Sequence, residues 1–486
     1  MEILIVIGYI SSLILIFFFS LGQFNLTLHY RKKTAIKDNG KTLDNWPIVT
    51  VQLPIYNEQY VVERLIDGIV ALDYDQKKLQ IQILDDSTDE TRQLIADKIS
   101  QYQAQGIWIE HVRRNDRQGF KAGALGYGTE LAKGEFIAVF DADFLPEKDF
   151  LRKTIPQFTE DNIGMVQTRW GHINKDYSVL TRMQAFGLDA HFTVEQAGRN
   201  KAGSFISFNG TAGVWRKDCI NDSGGWSAET LTEDLDLSYR AQLKGWRFKY
   251  LEDVIAPAEL PVLLPAVKSQ QYRWNKGAAE TAKKNLGNIF KSGLKPIHKI
   301  HATFHLMNSS VFLLLLVAGL LSIPMLFIKE SNPELRIYFD LGSVFLLGFF
   351  AIAFFYWTAS SKVCPKKTLK YYLFNFPLFL AFSMGLSLHN AIAVGEGLLG
   401  IKTPFVRTPK FNILNQKDSW KGNKYINWKI SPSVIFETLL AFYFIAGIAS
   451  GIYLHDFGLL IFHLMLAIGF GAVSYLSLRP LSYAHS

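Results

Sequence analysis

Asp141 and Asp143, one residue apart, form the first pair in this chain whose types and spacing suit chemistry. On extended backbone both carboxylates leave one face while Ala142 leaves the other. Two hard oxygen donors so placed can hold Mg²⁺ or Mn²⁺, and the ion in turn neutralises a diphosphate. A solvated acidic end to a strand has the same appearance. Thr232-Glu233-Asp234 opens a helical pattern that stops at Gly245. Asp234 there can serve as general base toward a hydroxyl. A threonine cap with acids in the first turn is the plainer account of the same residues. Gln270, Arg273 and Trp274 fall at i, i+3 and i+4, on one helical face. Their amide, guanidinium fork and indole suit a diphosphate and a sugar ring, and they equally suit a helix lying at a membrane surface. Tyr56 can stack on a base, and Asp86 can accept from a base or ribose edge. Lys121 stands at a predicted helix start, where anions are favoured. Each of these three also reads as an ordinary turn or surface residue.

The elements that would position these groups follow from the apolar pattern. Runs at 48–53, 81–84 and 136–140 end at Pro54, at Asp85-Asp86 and at Asp141, and further strands are expected at 107–112 and 165–168. Helical patterns fit 57–71, 89–104, 119–132 and 148–159. Strand–helix alternation with continuous apolar strands predicts a buried, mostly parallel sheet. Ligands of such sheets bind beyond the carboxyl ends of the strands. Tyr56-Asn57-Glu58, Asp86 and the Asp141/Asp143 pair all fall there.

The remainder of the chain is too apolar for a soluble protein. Of 486 residues, 49% are hydrophobic and only 19% charged, with 37 Phe. This excludes an ordinary soluble globule, a disordered chain and a small disulfide scaffold. The net charge of +8 comes from Lys and Arg that flank apolar runs. Membrane topology accounts for them, and nucleic acid is not an expected partner. Cys219 and Cys364 offer neither metal spacing nor a disulfide framework.

The expected organisation is a transmembrane helix over 1–29, then a soluble domain over 30–300 with an interfacial helix around 262–287. Two spans follow over 301–361, the second beginning at Leu341. An interfacial or re-entrant helix over 362–398 is interrupted at Pro377 and has basic residues on both flanks. A basic loop covers 399–432, and two more spans and a short tail cover 433–486. The cluster Arg31-Lys32-Lys33 after the first run places the N-terminus outside and the soluble domain in the cytoplasm. The chain thus reads as a multi-pass protein of the plasma (inner) membrane. Glu437 and His463, inside the last two spans, should face the bundle interior or an interface.

Asp86, Asp141-Ala142-Asp143, Thr232-Glu233-Asp234 and Gln270-Gln271-Tyr272-Arg273-Trp274, in this order, resemble the processive membrane-bound members of glycosyltransferase family 2. These are the cellulose synthase, hyaluronan synthase and cellulose-synthase-like groups. The resemblance covers about 46–300, and the membrane part by architecture. Phe405-Val406-Arg407-Thr408-Pro409-Lys410 resembles the gating loop that closes over the donor in cellulose synthases. The implied fold is an α/β nucleotide-sugar-binding domain of GT-A-like type plus an α-helical transmembrane bundle.

The implied activity is inverting, metal-dependent transfer of a sugar from a nucleotide sugar, UDP-glucose or GDP-mannose, to a growing β-glucan or β-mannan that passes through the bilayer. By the resemblance, Asp234 is the catalytic base and Asp141 and Asp143 hold Mg²⁺ or Mn²⁺. Nucleotide contacts come from Tyr56, Glu58, Asp86, Lys121, Asp141, Gln270, Arg273, Thr408 and Lys410. Trp274, Asn209, Gly210 and Glu233 meet the acceptor, and cellulose synthases carry Cys at the Asn209 position. With one span expected before the soluble domain and no cyclic-dinucleotide sensor expected after the last span, the chain looks nearer the cellulose-synthase-like mannan or glucan synthases. A non-processive enzyme glycosylating diacylglycerol or ceramide shares the Gln-x-x-Arg-Trp pattern. A non-catalytic scaffold or transporter is the third reading.

Overall fold

The computed structural model describes residues 1–32, 43–332, 334, 342–426 and 431–484. Lys33 and Leu341 lie outside them. The uncharged N-terminal run is one helix, α1 (Glu2–Arg31), followed by β1 (Val49–Ile55), α2 (Val62–Val70), β2 (Leu79–Asp85), α3 (Thr91–Gln103), β3 (Ile109–Val112), α4 (Phe120–Leu131) and β4 (Phe136–Val139). After α5 (Phe150–Thr154) come β5 (Ile163–His172), α6 (Val179–Ala190), a π-helical turn His191–Glu195 and α7 (Gln196–Lys201). The domain continues through β6 (Gly213–Arg216), α8 (Lys217–Asp222), α9 (Glu233–Leu243) and β7 (Arg247–Ala258) to the long α10 (Leu264–Lys291).

The seven described strands form one sheet in the order β3-β2-β1-β4-β6-β5-β7. All pairs are parallel except those made by β6, which runs antiparallel between β4 and β5. Val49, Val51, Leu53, Ile81 and Ile83 are buried on one face, and Thr50, Gln52, Gln80 and Gln82 are equally buried beside them. Helices cover both faces, so these amides and hydroxyls bond across strands instead of to water: Thr50 Oγ1 donates to Gln80 Oε1 at 2.7 Å and Gln52 Nε2 to Gln82 Oε1 at 3.1 Å.

Three local expectations change. β1 does not stop before Pro54 but runs to Ile55. Its pairing with β4 ends at Gln52, so the N–H that proline lacks falls beyond that neighbour. Helix α2 begins at Val62 rather than 57, because Asn57 is left-handed (φ 54°) and its N–H donates to Ser87 Oγ. Residues 56–61 therefore form a projecting turn. Asp141 and Asp143 are not on extended backbone either. The strand ends at Val139 and the Phe144 N–H closes a turn onto the Asp141 carbonyl.

Beyond α10 lie α11 (Pro296–Leu306), α12 (Ser310–Ser331), α13 (Leu346–Val363), α14 (Thr368–Gly385), α15 (Ser387–Leu399), α16 (Ser433–Tyr453) and α17 (Leu460–Ala484). Among the described residues five helices are long and apolar enough to cross a membrane, or six if α14 and α15, bent by 52°, make one span. By this measure the chain is a multi-pass membrane protein.

The bend is not at Pro377, which lies inside a continuous α14, but at Leu386. Just before it the α14 backbone touches α17: a Cβ added to Gly385 or to Gly469 would collide with the facing backbone. Gly469→Leu is expected to cost about 1–3 kcal/mol of stability, read as a lowered melting temperature in detergent. An unchanged melt would show that the crossing is slack. Glu437 and His463 do face the interior. Glu437 pairs with Lys268 of α10 at 2.7 Å, Lys268 also donates to Ser477 at 2.9 Å, and His463 meets Ser322 at 2.8 Å.

Candidate active site

The carboxyl ends of β1, β2 and β4 open into one cavity, roofed by the start of α9, the middle of α10 and the segment after α15. All fifteen residues singled out from the sequence line it: Tyr56, Glu58, Asp86, Lys121, Asp141, Asp143, Asn209, Gly210, Glu233, Asp234, Gln270, Arg273, Trp274, Thr408 and Lys410. Thr232 occupies the cap position of α9, but its hydroxyl makes no cap bond and meets Thr281 Oγ1 at 3.2 Å. Gln270, Arg273 and Trp274 all line the cavity.

Lys121 is the central cation. It lies 2.6 Å from Asp141 Oδ1 and donates to the Gly210 carbonyl at 2.9 Å, with Glu233 at 3.9 Å. Burial alone would lower its pKa, but Asp141 and Glu233 outweigh that and raise it. Gly210 is left-handed (φ 78°), and a Cβ there would stand 3.1 Å from Asp234 Oδ2, so the backbone is pressed against that carboxylate. Burial, with Glu233 alongside, pushes Asp234 up to about 7, against the opposing pull of Lys121.

Asp143 is buried. Its Oδ2 takes Lys410 at 2.7 Å while its Oδ1 has no partner. No group of three His, Cys, Asp or Glu side chains is gathered for a metal among the described residues. Two carboxylates with an orphaned oxygen nonetheless fit a hard divalent cation whose remaining ligands would be diphosphate and water oxygens. The segment after α15 supplies further contacts. Arg407 pairs with Glu58 at 2.7 Å, Phe405 stacks on Phe120, and the Arg273 guanidinium sits over Phe405 and donates to the Val406 carbonyl. Burial pushes Glu58 up to about 7 despite Arg407. Burial also brings Arg273 down to about 10. Thr408 Oγ1 is buried without a partner and lines the cavity.

Sequence reasoning missed three participants. Arg114 grips both oxygens of Asp86, and Arg117 lies 3.3 Å over the Tyr56 ring, covering one of its faces. The basic run Arg113-Arg114-Asn115-Asp116-Arg117 after β3 was the available signal. Glu259, at the end of β7, accepts from the Phe411 N–H at 2.9 Å and pairs with Arg64, which anchors the roof.

A family model described as "Glycosyltransferase like family 2" matches residues 47–277. Over these residues the chain is similar to glycosyltransferase-like family 2. The chain is 42% identical over 288 residues to the probable glucomannan 4-beta-mannosyltransferase 4 of Oryza sativa subsp. japonica, a match covering 58% of this chain and 52% of that protein. It is 43% identical over 253 residues to glucomannan 4-beta-mannosyltransferase 2 of Arabidopsis thaliana, covering 51% and 47%. The chain spans about half the length of these curated relatives. Among solved structures it is similar to the mannosyltransferase PcManGT from Pyrobaculum calidifontis in complex with GDP-Man and Mn²⁺. The TM-score is 0.50 at 18% identity, over 75% of this chain and 98% of that one. That likeness is one of fold, and the sheet and helical order here are GT-A-like.

Proposed function

We propose that this protein is a family 2 inverting β-glycosyltransferase embedded in the membrane, which extends a β-mannan-type polysaccharide from GDP-mannose. The observation that carries the reading is the convergence on one cavity of Asp234, the Asp141/Asp143 pair and the Gln270/Arg273/Trp274 face. The mannosyltransferase relatives favour mannose over glucose, and the plasma (inner) membrane with a cytoplasmic sheet domain and the N-terminus outside remains the topology proposed.

Asp141 and Asp143 would hold Mg²⁺ or Mn²⁺, whose contribution is to neutralise the diphosphate. Arg273, Gln270 and Lys121 bind the diphosphate oxygens, with Tyr56, Glu58 and Asp86 toward the nucleoside. Trp274, beside Trp170 at 6.4 Å, offers an apolar wall to the acceptor sugar. Asp234 takes the proton of the acceptor hydroxyl as its oxygen bonds to the anomeric carbon. The bond from that carbon to the diphosphate breaks on the opposite side, its electron pair leaving with the nucleotide, and the configuration inverts.

The cavity encloses about 180 Å³, less than the ~300–1,000 Å³ of ligand sites in general. The segment carrying Thr408 and Lys410 must therefore lift to admit a nucleotide sugar, and reclose to exclude water.

A transfer assay on membrane vesicles with a panel of labelled nucleotide sugars tests the reading. A ladder from GDP-mannose supports it. Label confined to organic-extractable lipid replaces it with a glycolipid synthase, and no transfer from any donor supports a scaffold. Since Asp234 must be ionised to accept a proton, kcat/KM is expected to rise with pH up to about 7 and then level. A flat profile from pH 5 to 8 would remove Asp234 as the base.

A further inference from the structure

We propose that His191, held on a π-helical turn by Glu195 and Arg199, is a positioning residue for the acceptor: it fixes the Asn209 amide so that one N–H of Asn209 selects the acceptor's terminal sugar. The inference rests on the transferase reading and on the acceptor contact that the resemblance implies for Asn209; the role it adds is that of His191, which takes no part in the chemistry above.

The orientation of Asn209 follows from donors and acceptors alone. The Ser207 carbonyl can only accept, so the Gln196 atom 3.1 Å from it must be Nε2. The same nitrogen lies 2.6 Å from Asn209, which makes that atom Oδ1. The other end of the Asn209 amide is then Nδ2, and it faces His191 Nε2 at 3.2 Å. That ring nitrogen must accept, so the ring proton sits on Nδ1, which donates to Glu195 Oε2 at 3.0 Å. The second oxygen of Glu195 takes Arg199 at 2.9 Å, and Arg199 also donates to the His301 carbonyl. The Asn209 backbone N–H is itself pinned by Gln167 Oε1 at 3.0 Å. Each link determines the next, from a buried Arg199 to a cavity-lining amide.

Asn209 Nδ2 carries two hydrogens. His191 accepts one, and the second has no acceptor among the described residues. It belongs to a residue that lines the cavity next to Gly210, whose Cα lies against the Asp234 carboxylate. A donor fixed there meets the sugar whose hydroxyl Asp234 deprotonates. The wall around it is continuous: His191 packs edge-on to Phe192, Phe192 stacks on Trp170, and Trp170 neighbours Trp274. A regular α-helix would turn His191 and Glu195 through a different angle to Asn209. The widened turn at 191–195 brings them to it, as π-turns at functional sites commonly do.

The test uses the full chain in nanodiscs, with labelled donor held constant and β-1,4-mannohexaose or cellohexaose titrated as acceptor. His191→Ala is expected to raise the acceptor KM about tenfold, with the donor KM within about twofold. Asn209→Ala is expected to show a shift of the same size. The double variant should be no worse than Asn209→Ala alone, because His191 acts through that amide. His191→Gln should recover most of the affinity, since its amide oxygen can accept from Asn209 Nδ2. GDP binding and a melting curve establish that each variant is folded, and Asn209→Ser stands in if Asn209→Ala is not. Additive losses in the double variant, an unchanged acceptor KM in His191→Ala, or no rescue by Gln would overturn the inference alone. A wild-type chain that turns over no donor would overturn the functional reading and this inference with it.

Discussion

Asp234→Asn is expected to lower sugar transfer by roughly 10³-fold while leaving nucleotide binding intact. The amide is nearly isosteric with the carboxylate, so the start of α9 and the left-handed Gly210 packed against it need not move. What disappears is the only change the reaction asks of this side chain, acceptance of a proton from the acceptor hydroxyl. Glu233 is adjacent and buried, but it lies toward Lys121 at 3.9 Å, so it is the group to watch for residual activity. The measurement is transfer of labelled mannose alongside calorimetry with GDP. Turnover within tenfold of wild type would mean that another group takes the proton.

Asp143→Asn should be the second most damaging change, with transfer falling about 10²–10³-fold and the response to Mg²⁺ or Mn²⁺ lost. Chelation of divalent ions should do the same to the wild-type chain. Two effects oppose each other here. Removing one carboxylate strips half of the acidic donor set, yet it also frees Lys410, which could then meet the diphosphate directly. A divalent cation held there would carry twice the charge of one ammonium, so loss is the expected sign. Full transfer in the presence of chelator would end the metal assignment and leave Lys121, Arg273 and Lys410 as the neutralising groups.

The parts of the site that were legible in the sequence are those whose chemistry is written at short spacing. Asp141 and Asp143 sit two apart, and Gln270, Arg273 and Trp274 sit within one helical turn, so each set could be recognised without knowing its neighbours. The sheet was legible from strand–helix alternation and recurring apolar, β-rich runs, although buried Thr50, Gln52, Gln80 and Gln82 interrupt those runs. Even so, the extended backbone assumed for Asp141–Asp143 is a turn, and a different geometry delivers both carboxylates to the cavity.

What stayed hidden depends on contacts between distant segments. Lys268 and Glu437 are partners across 169 positions, and His191 earns its place only once Asn209 is brought beside it. Proline is a local signal and predicts an interruption at Pro377, whereas the bend lies at Leu386. Its actual setting is Gly385 meeting Gly469 from another helix, which no local pattern announces. Arg114 and Arg117 were readable as a basic run, but only the fold shows Asp86 and Tyr56 lying under them.

The buried Lys268–Glu437 pair has a mechanical consequence. Lys268 and Arg273 are five residues apart on α10, about 7.5 Å along the helix axis, and the pair rivets the first of them to α16 and, through Ser477, to α17. Any tilt those two helices adopt to match the hydrocarbon thickness around them is thus levered into the position of Arg273 and Trp274. On the proposed activity, a bilayer too thin or too thick is expected to shift the diphosphate clamp without touching a single catalytic residue.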